Sequence, residues 1–212
     1  NYQNWIALGR VYESIIPLGI EGAYENGRRS YEEALRINPK NPEILLHLAR
    51  LEAVRGDNAK AREEIGRALS MKTNYTDAIF LLSQIELNEG NLKEAISSVE
   101  TAAIILPNDP TVFFRLGLLR YNNGDFKGAV GALERAISLN PIYANAKYFL
   151  GLSYDRLGRQ SDAIKQFADI ETTNSGNQEI KTILANLRAG RNPLSNIAPP
   201  LEDRVSPPIE EN

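Results

Sequence analysis

Cysteine is absent from this 212-residue chain. Disulfides and thiolate metal sites are therefore excluded. Histidine occurs once, at His47, which removes His-based catalytic triads and multi-histidine metal centres. No apolar run approaches the ~20 residues that a membrane-spanning helix needs. No glycine-rich phosphate loop occurs, and no motif implies a cofactor. A basic surplus is missing too. The formal net charge is −3, and Glu202, Asp203, Glu210 and Glu211 outweigh Arg191 and Arg204 near the end. The first 190 residues are left close to neutral, so nucleic-acid binding is not expected. What remains is an ordinary globular balance, 42% hydrophobic and 24% charged. The length suffices for a sizeable core. The chain starts at Asn1 without a signal-like leader, and we expect a piece of a longer protein.

Against these absences stands a repeat. Leu48, Leu82, Leu116 and Leu150 are 34 residues apart, as are Gly56, Gly90, Gly124 and Gly158, and Ala61, Ala95, Ala129 and Ala163. In each unit a stretch such as Leu45, Leu48, Ala49 and Leu51 has helical spacing. Glycine then ends the helix, because it tolerates the left-handed conformation. A second helical stretch follows, with alanine at two positions where a close helix approach needs a small side chain. Pro39, Pro107 and Pro141 close units, since proline cannot continue a helix interior.

This pattern resembles the tetratricopeptide repeat: 34 residues, two antiparallel helices, small residues at fixed places. Pro42, Thr76, Pro110 and Ala144 open units two to five. Position 8 reads Gly9, Ala49, Ser83, Gly117 and Gly151. Position 20 reads Gly27, Ala61, Ala95, Ala129 and Ala163. Position 27 reads Ala34, Ala68, Ala102 and Ala136, with Ile170 a departure. The resemblance implies an all-α, right-handed α-solenoid of about five helix-turn-helix units. Their expected bounds are 2–41, 42–75, 76–109, 110–143 and 144–177. Residues 178–189 follow as a capping helix, because Ile180, Ile183, Leu184 and Leu187 form one apolar stripe. Solenoid and cap together make residues 1–190 one domain. Residues 191–212, rich in proline, read as an extended tail.

The first unit breaks the period by six residues. The turn glycine Gly22 places the insertion before it, within "ESIIPLGIE". Pro17 and Gly19 oppose a clean helical extension, which predicts a lengthened first helix that breaks near Pro17, then a short loop. Ile15, Ile16, Leu18 and Ile20 are too apolar for a solvated connector. Two readings stay open: they fold back on the first unit, or they form a docking loop for something outside this sequence.

In this family positions 2, 5, 9 and 12 of the first helix usually face the concave side. Position 5 reads Ile6, Leu46, Phe80, Phe114 and Tyr148. Position 9 reads Arg10, Arg50, Gln84, Leu118 and Leu152, and position 12 reads Glu13, Ala53, Leu87, Tyr121 and Asp155. The inward lysines and asparagines with which family members grip a carboxylate are missing at positions 5 and 9. The resemblance thus implies a non-enzymatic interaction scaffold whose groove takes an apolar peptide or helix. Some of these side chains are expected to pack on neighbouring helices instead. The chain's own tail, or a neighbour's, is one candidate ligand, with Leu194, Ile197, Leu201, Val205 and Ile209; a disordered terminus is the other reading. No metal site and no insertion into a membrane are expected. The opening "NWIALGRVYESIIPLGIEGAYE" is also similar to repeat tails that follow bacterial O-antigen ligase-like membrane proteins. That resemblance gives the alternative function, a soluble accessory domain of a larger enzyme.

Overall fold

The computed structural model describes residues 1–197 and residue 209. Among the described residues there are eleven α-helices, one short 3-10 turn and no strand. They fall into two compact units, Asn1–Ile105 and Leu106–Asn212. The first holds α1 (Tyr2–Ile15), α2 (Ala23–Ile37), α3 (Pro42–Arg55), α4 (Asn58–Met71), α5 (Thr76–Asn88) and α6 (Leu92–Ile105). The second holds α7 (Pro110–Asn122), α8 (Phe126–Leu139), α9 (Ala144–Arg156), α10 (Gln160–Thr173) and α11 (Gln178–Arg188). Odd and even helices pair in order, and α11 packs on α10 as the expected cap.

The ends of each helix follow from local chemistry. Pro42 and Pro110 stand in the first turn, where a missing N–H costs nothing. The side chains of Asn41 and Asp109 accept the N–H groups of Glu43 and Thr111, both at 2.9 Å. Gly56, Gly90, Gly124 and Gly158 all have φ between +72° and +84°, and Gly22 takes the same conformation in the first unit at +75°. After each of the four, the next residue's N–H reaches back to the preceding helix, as Asp57 does to the Glu52 carbonyl at 2.9 Å.

Packing within a pair is a matter of matched volumes. The alanines at positions 20 and 27 are all fully buried, from Ala34 to Ala163. At position 8 a Cβ added to Gly9 would lie 2.4 Å from the Tyr31 ring, one on Gly117 2.5 Å from Leu133, and one on Gly151 2.6 Å from Phe167. Large residues of the second helix thus sit directly on a glycine of the first. In α3/α4 position 8 is Ala49, which shares a core cluster with Ile65.

The expected lengthening of the first helix does not occur: α1 has 14 residues, as α3 has, and the break falls at Ile16, before Pro17. α1 runs directly into a 3-10 turn at Ile16–Leu18 that includes Pro17, and Gly19 ends it at φ +70°. Ile16 folds back against the cluster of Ile6, Tyr31 and Leu48. In the second unit Ile180, Ile183, Leu184 and Leu187 are buried. Beyond Gly190, Asn186 Nδ2 donates to the carbonyls of Pro193 (3.1 Å) and Ser195 (2.8 Å), and Leu194 and Ile197 pack on the second unit's core. Residues 198–208 and 210–212, most of the stretch expected to be an extended tail, lie outside the described residues. Leu201 and Val205 are among them.

Two glycines of the second unit separate packing from propensity. Gly151→Ala should destabilise the chain by about 1–3 kcal/mol, because the Phe167 ring must move. Gly131 lies in α8 with nothing within 4 Å of an added Cβ. Gly131→Ala should stabilise by about 0.4–1 kcal/mol. Urea melts of the two variants check both signs; equal shifts would refute the matched-volume account.

Candidate functional site

In the second unit α7 and α9 lie side by side and form an aromatic face. Phe114 meets Tyr143 at 4.9 Å between ring centroids and Phe149 at 6.1 Å. Tyr121 meets Phe149 edge-on at 5.8 Å, and Tyr148 meets Phe149 at 5.5 Å. Helix spacing explains the grouping: Phe114, Leu118 and Tyr121 recur along α7 at four and three residues. The Tyr148 hydroxyl donates to Glu179 on α11 at 2.6 Å, which satisfies a polar group in a buried site. The Tyr154 hydroxyl, pushed up to about 12 by burial and then by Glu134, donates to that carboxylate at 2.5 Å.

Asn145, the second residue of α9, is buried and holds a remote piece of the chain. Its Nδ2 donates to the Ile209 carbonyl at 2.8 Å, and its Oδ1 accepts the Ile209 N–H at 3.0 Å. One side-chain amide therefore satisfies both main-chain groups of one residue. Ile209 itself is 1% exposed and belongs to the same apolar cluster as Tyr148, Phe149 and Leu152.

The first unit carries a polar cleft of about 590 Å³, lined by Arg10, Glu13, His47, Arg50, Tyr75 and Asp77 among others. At its floor Glu13 Oε2 accepts from the Tyr31 hydroxyl at 2.6 Å and pairs with His47 Nδ1 at 3.1 Å. The rings of Tyr31 and His47 stack at 4.8 Å. Arg10 Nε donates to His47 Nε2 at 3.3 Å, and its Nη2 pairs with Glu43 at 2.5 Å. Burial pulls the Glu13 carboxyl upward, but the bonds from His47 and Tyr31 outweigh it and hold Glu13 below the usual carboxylate range. Burial, then Glu13, pushes the Tyr31 phenol above its ordinary value.

The expected groove residues divide by burial. Ile6, Leu46, Tyr148 and Leu152 are buried in the cores. Phe80 and Leu87 are half-buried, Gln84 is exposed and bonds Asn88, and Arg10, Leu46 and Arg50 meet at the polar cleft. Phe114, Leu118 and Tyr121 are half-buried against the second unit's core. In the expected docking loop Ile15 and Ile16 are half-buried, whereas Leu18 and Ile20 are 72% and 52% exposed. Sequence reasoning missed Asn145, Tyr143 and Phe149, and it placed Glu13 at inward position 12 without its bonds to Tyr31 and His47. Position 2 held one signal: it reads Glu43, Asp77, Thr111 and Asn145. Glu43 and Asp77 line the cleft, and Asn145 grips Ile209.

The geometry is that of paired helices recurring at a fixed interval. Family models described as tetratricopeptide repeat match residues 20–69, 55–111 and 114–178. The chain belongs to the tetratricopeptide repeat family, whose members are generally protein-interaction scaffolds. Solved structures agree on the fold. The MamA crystal structure matches at a TM-score of 0.62 and 22% identity, over 84% of this chain and 95% of that one. A thermophilic repeat protein of Thermus thermophilus, TTC0263, matches at 0.57 and 23% identity, over 89% and 100%. YrrB, described as a repeat protein with an unusual peptide-binding site, matches at 0.56 and 17% identity, over 79% and 84%. No curated protein matches the chain significantly.

The Glu13 network has a pH signature. A carboxyl depressed in the folded chain stabilises it fully above the unfolded carboxylate value, and loses that effect as pH falls through the folded value. Glu13→Gln should lower the melting temperature at about pH 7, and its gap to wild type should close on acidification to about pH 3. Thermal melts across that range check it; a constant gap would refute the coupling.

Proposed function

We propose that this chain is a non-enzymatic scaffold whose α7/α9 face binds an extended apolar peptide. The single observation that carries the reading is the Asn145 pairing with both main-chain groups of Ile209. A helical ligand has its main-chain groups bonded internally and offers no such pair. An extended ligand does, so of the two ligand forms this favours the peptide over the helix. Beside Asn145, the half-buried Phe114, Leu118 and Tyr121 supply apolar area that a bound side chain would cover. Each large apolar group removed from water contributes about 1.5–3 kcal/mol.

A second reading rests on the first unit. Leu18 and Ile20 stay exposed at the end of α1. Two large apolar groups left wet beside each other favour a docking role within a larger assembly, as an accessory domain of a bacterial membrane enzyme would have.

Selection from a displayed peptide library tests the main reading. Wild-type chain should enrich peptides sharing one large aliphatic residue, and Phe114→Glu should abolish that enrichment while retaining its helical circular dichroism. Enrichment unchanged in Phe114→Glu would move the site elsewhere. Tyr148 is unsuitable for this test, since it is fully buried and its replacement would disturb the core.

A further inference from the structure

The Asn145 contact has an unusual partner for a face that serves other proteins: the chain itself. Ile209 lies 64 residues beyond Asn145, yet it is as buried as the core of the second unit. Its N–H and carbonyl, at a bend in the chain, are both satisfied by one side-chain amide. A side-chain amide reads main chain irrespective of sequence, so the identity of the seated residue must be read by what surrounds its side chain. Ile209 belongs to a cluster that is apolar and aromatic, with Tyr148, Phe149 and Leu152 among its members.

We propose that Asn145 and its apolar surround form a subsite for one branched aliphatic residue of a non-helical peptide segment, and that Ile209 is its resident occupant, which a partner peptide must displace. The proposal rests on the peptide-binding reading given above, and adds the partner's chemistry and a self-competition. Three requirements on the partner follow. The seated residue is not proline, because Asn145 Oδ1 needs its N–H. It is aliphatic, because Ile209 is 1% exposed within an apolar cluster, where a charged side chain would lose its hydration. The partner is not helical at that residue, because its N–H and carbonyl must both be open, as they are at Ile209, which lies at a bend. The sequence around Ile209 supplies the template: Pro207 and Pro208 before it, Glu210 and Glu211 after it.

Competition gives the proposal a quantitative form. A ligand sees only the fraction of molecules whose site is vacated, and its apparent dissociation constant is raised by that factor. A fluorescent peptide of residues 203–212 is titrated into the full chain and two full-length variants. Ile209→Asp should bind it about tenfold more tightly than wild type, since the resident no longer competes. Ile209→Asp combined with Asn145→Ala should lose about tenfold again, the effect of two lost hydrogen bonds. A peptide with proline in place of Ile209 should bind Ile209→Asp more weakly than the parent peptide does. Equal binding by wild type and Ile209→Asp would overturn the resident occupancy. Binding indifferent to Asn145→Ala, or absent from every variant, would overturn the subsite. These outcomes are separable from failure of the scaffold reading. If library peptides still depend on Phe114 while the 203–212 peptide does not bind, only the subsite falls.

Discussion

The fold depends on how closely the two helices of each pair approach. Backbones come near only where side chains between them are small, and the chain supplies small residues at the same three places in every pair but the last, where position 27 is Ile170. Alanine or glycine at position 20 and alanine at position 27 set the spacing in the pairs of the first unit and in α7/α8. Position 8 then adjusts to what the second helix brings: glycine under Tyr31, Leu133 and Phe167. A protein interior packed to crystal density leaves little slack for any other choice. The exception at position 27, Ile170, lies in α10, where α11 covers the pair and Ile170 is buried in the shared cluster.

Polar groups enter this interior only with partners. Tyr31 fills the space above Gly9, but it carries a hydroxyl into the core. Glu13 receives it, and His47 lies against the ring and shares the same carboxylate oxygen. The second unit repeats the solution with different residues, Tyr148 to Glu179 and Tyr154 to Glu134. Glu52 follows it incompletely: Oε1 accepts the Tyr24 hydroxyl at 2.9 Å, while Oε2 is buried without a hydrogen bond. A buried acid left half-satisfied raises the cost of that site.

The repeat, the turns and the cap were legible because periodicity is a statement about many residues at once. Five glycines in the left-handed conformation, Gly22 among them, fall where the ruler put them. The site was less legible, for a physical reason. Facing inward on one helix does not decide exposure, since the next helix covers part of the same surface. Tyr148 and Leu152 have the right register yet are sealed by neighbours. Asn145 was overlooked because the apolar row drew attention to positions 5 and 9, and a lone asparagine near a helix start reads as a cap. Its role depends on residue 209, and no local pattern links residues 64 apart.

The matched volumes at position 8 also limit how this chain can change over generations. Halves of different pairs are not interchangeable parts. Joining the second helix of the last pair to the first helix of the second would drive the Phe167 ring into the methyl of Ala49. In the pairs that carry glycine at position 8, that glycine and the large residue over it must therefore change together.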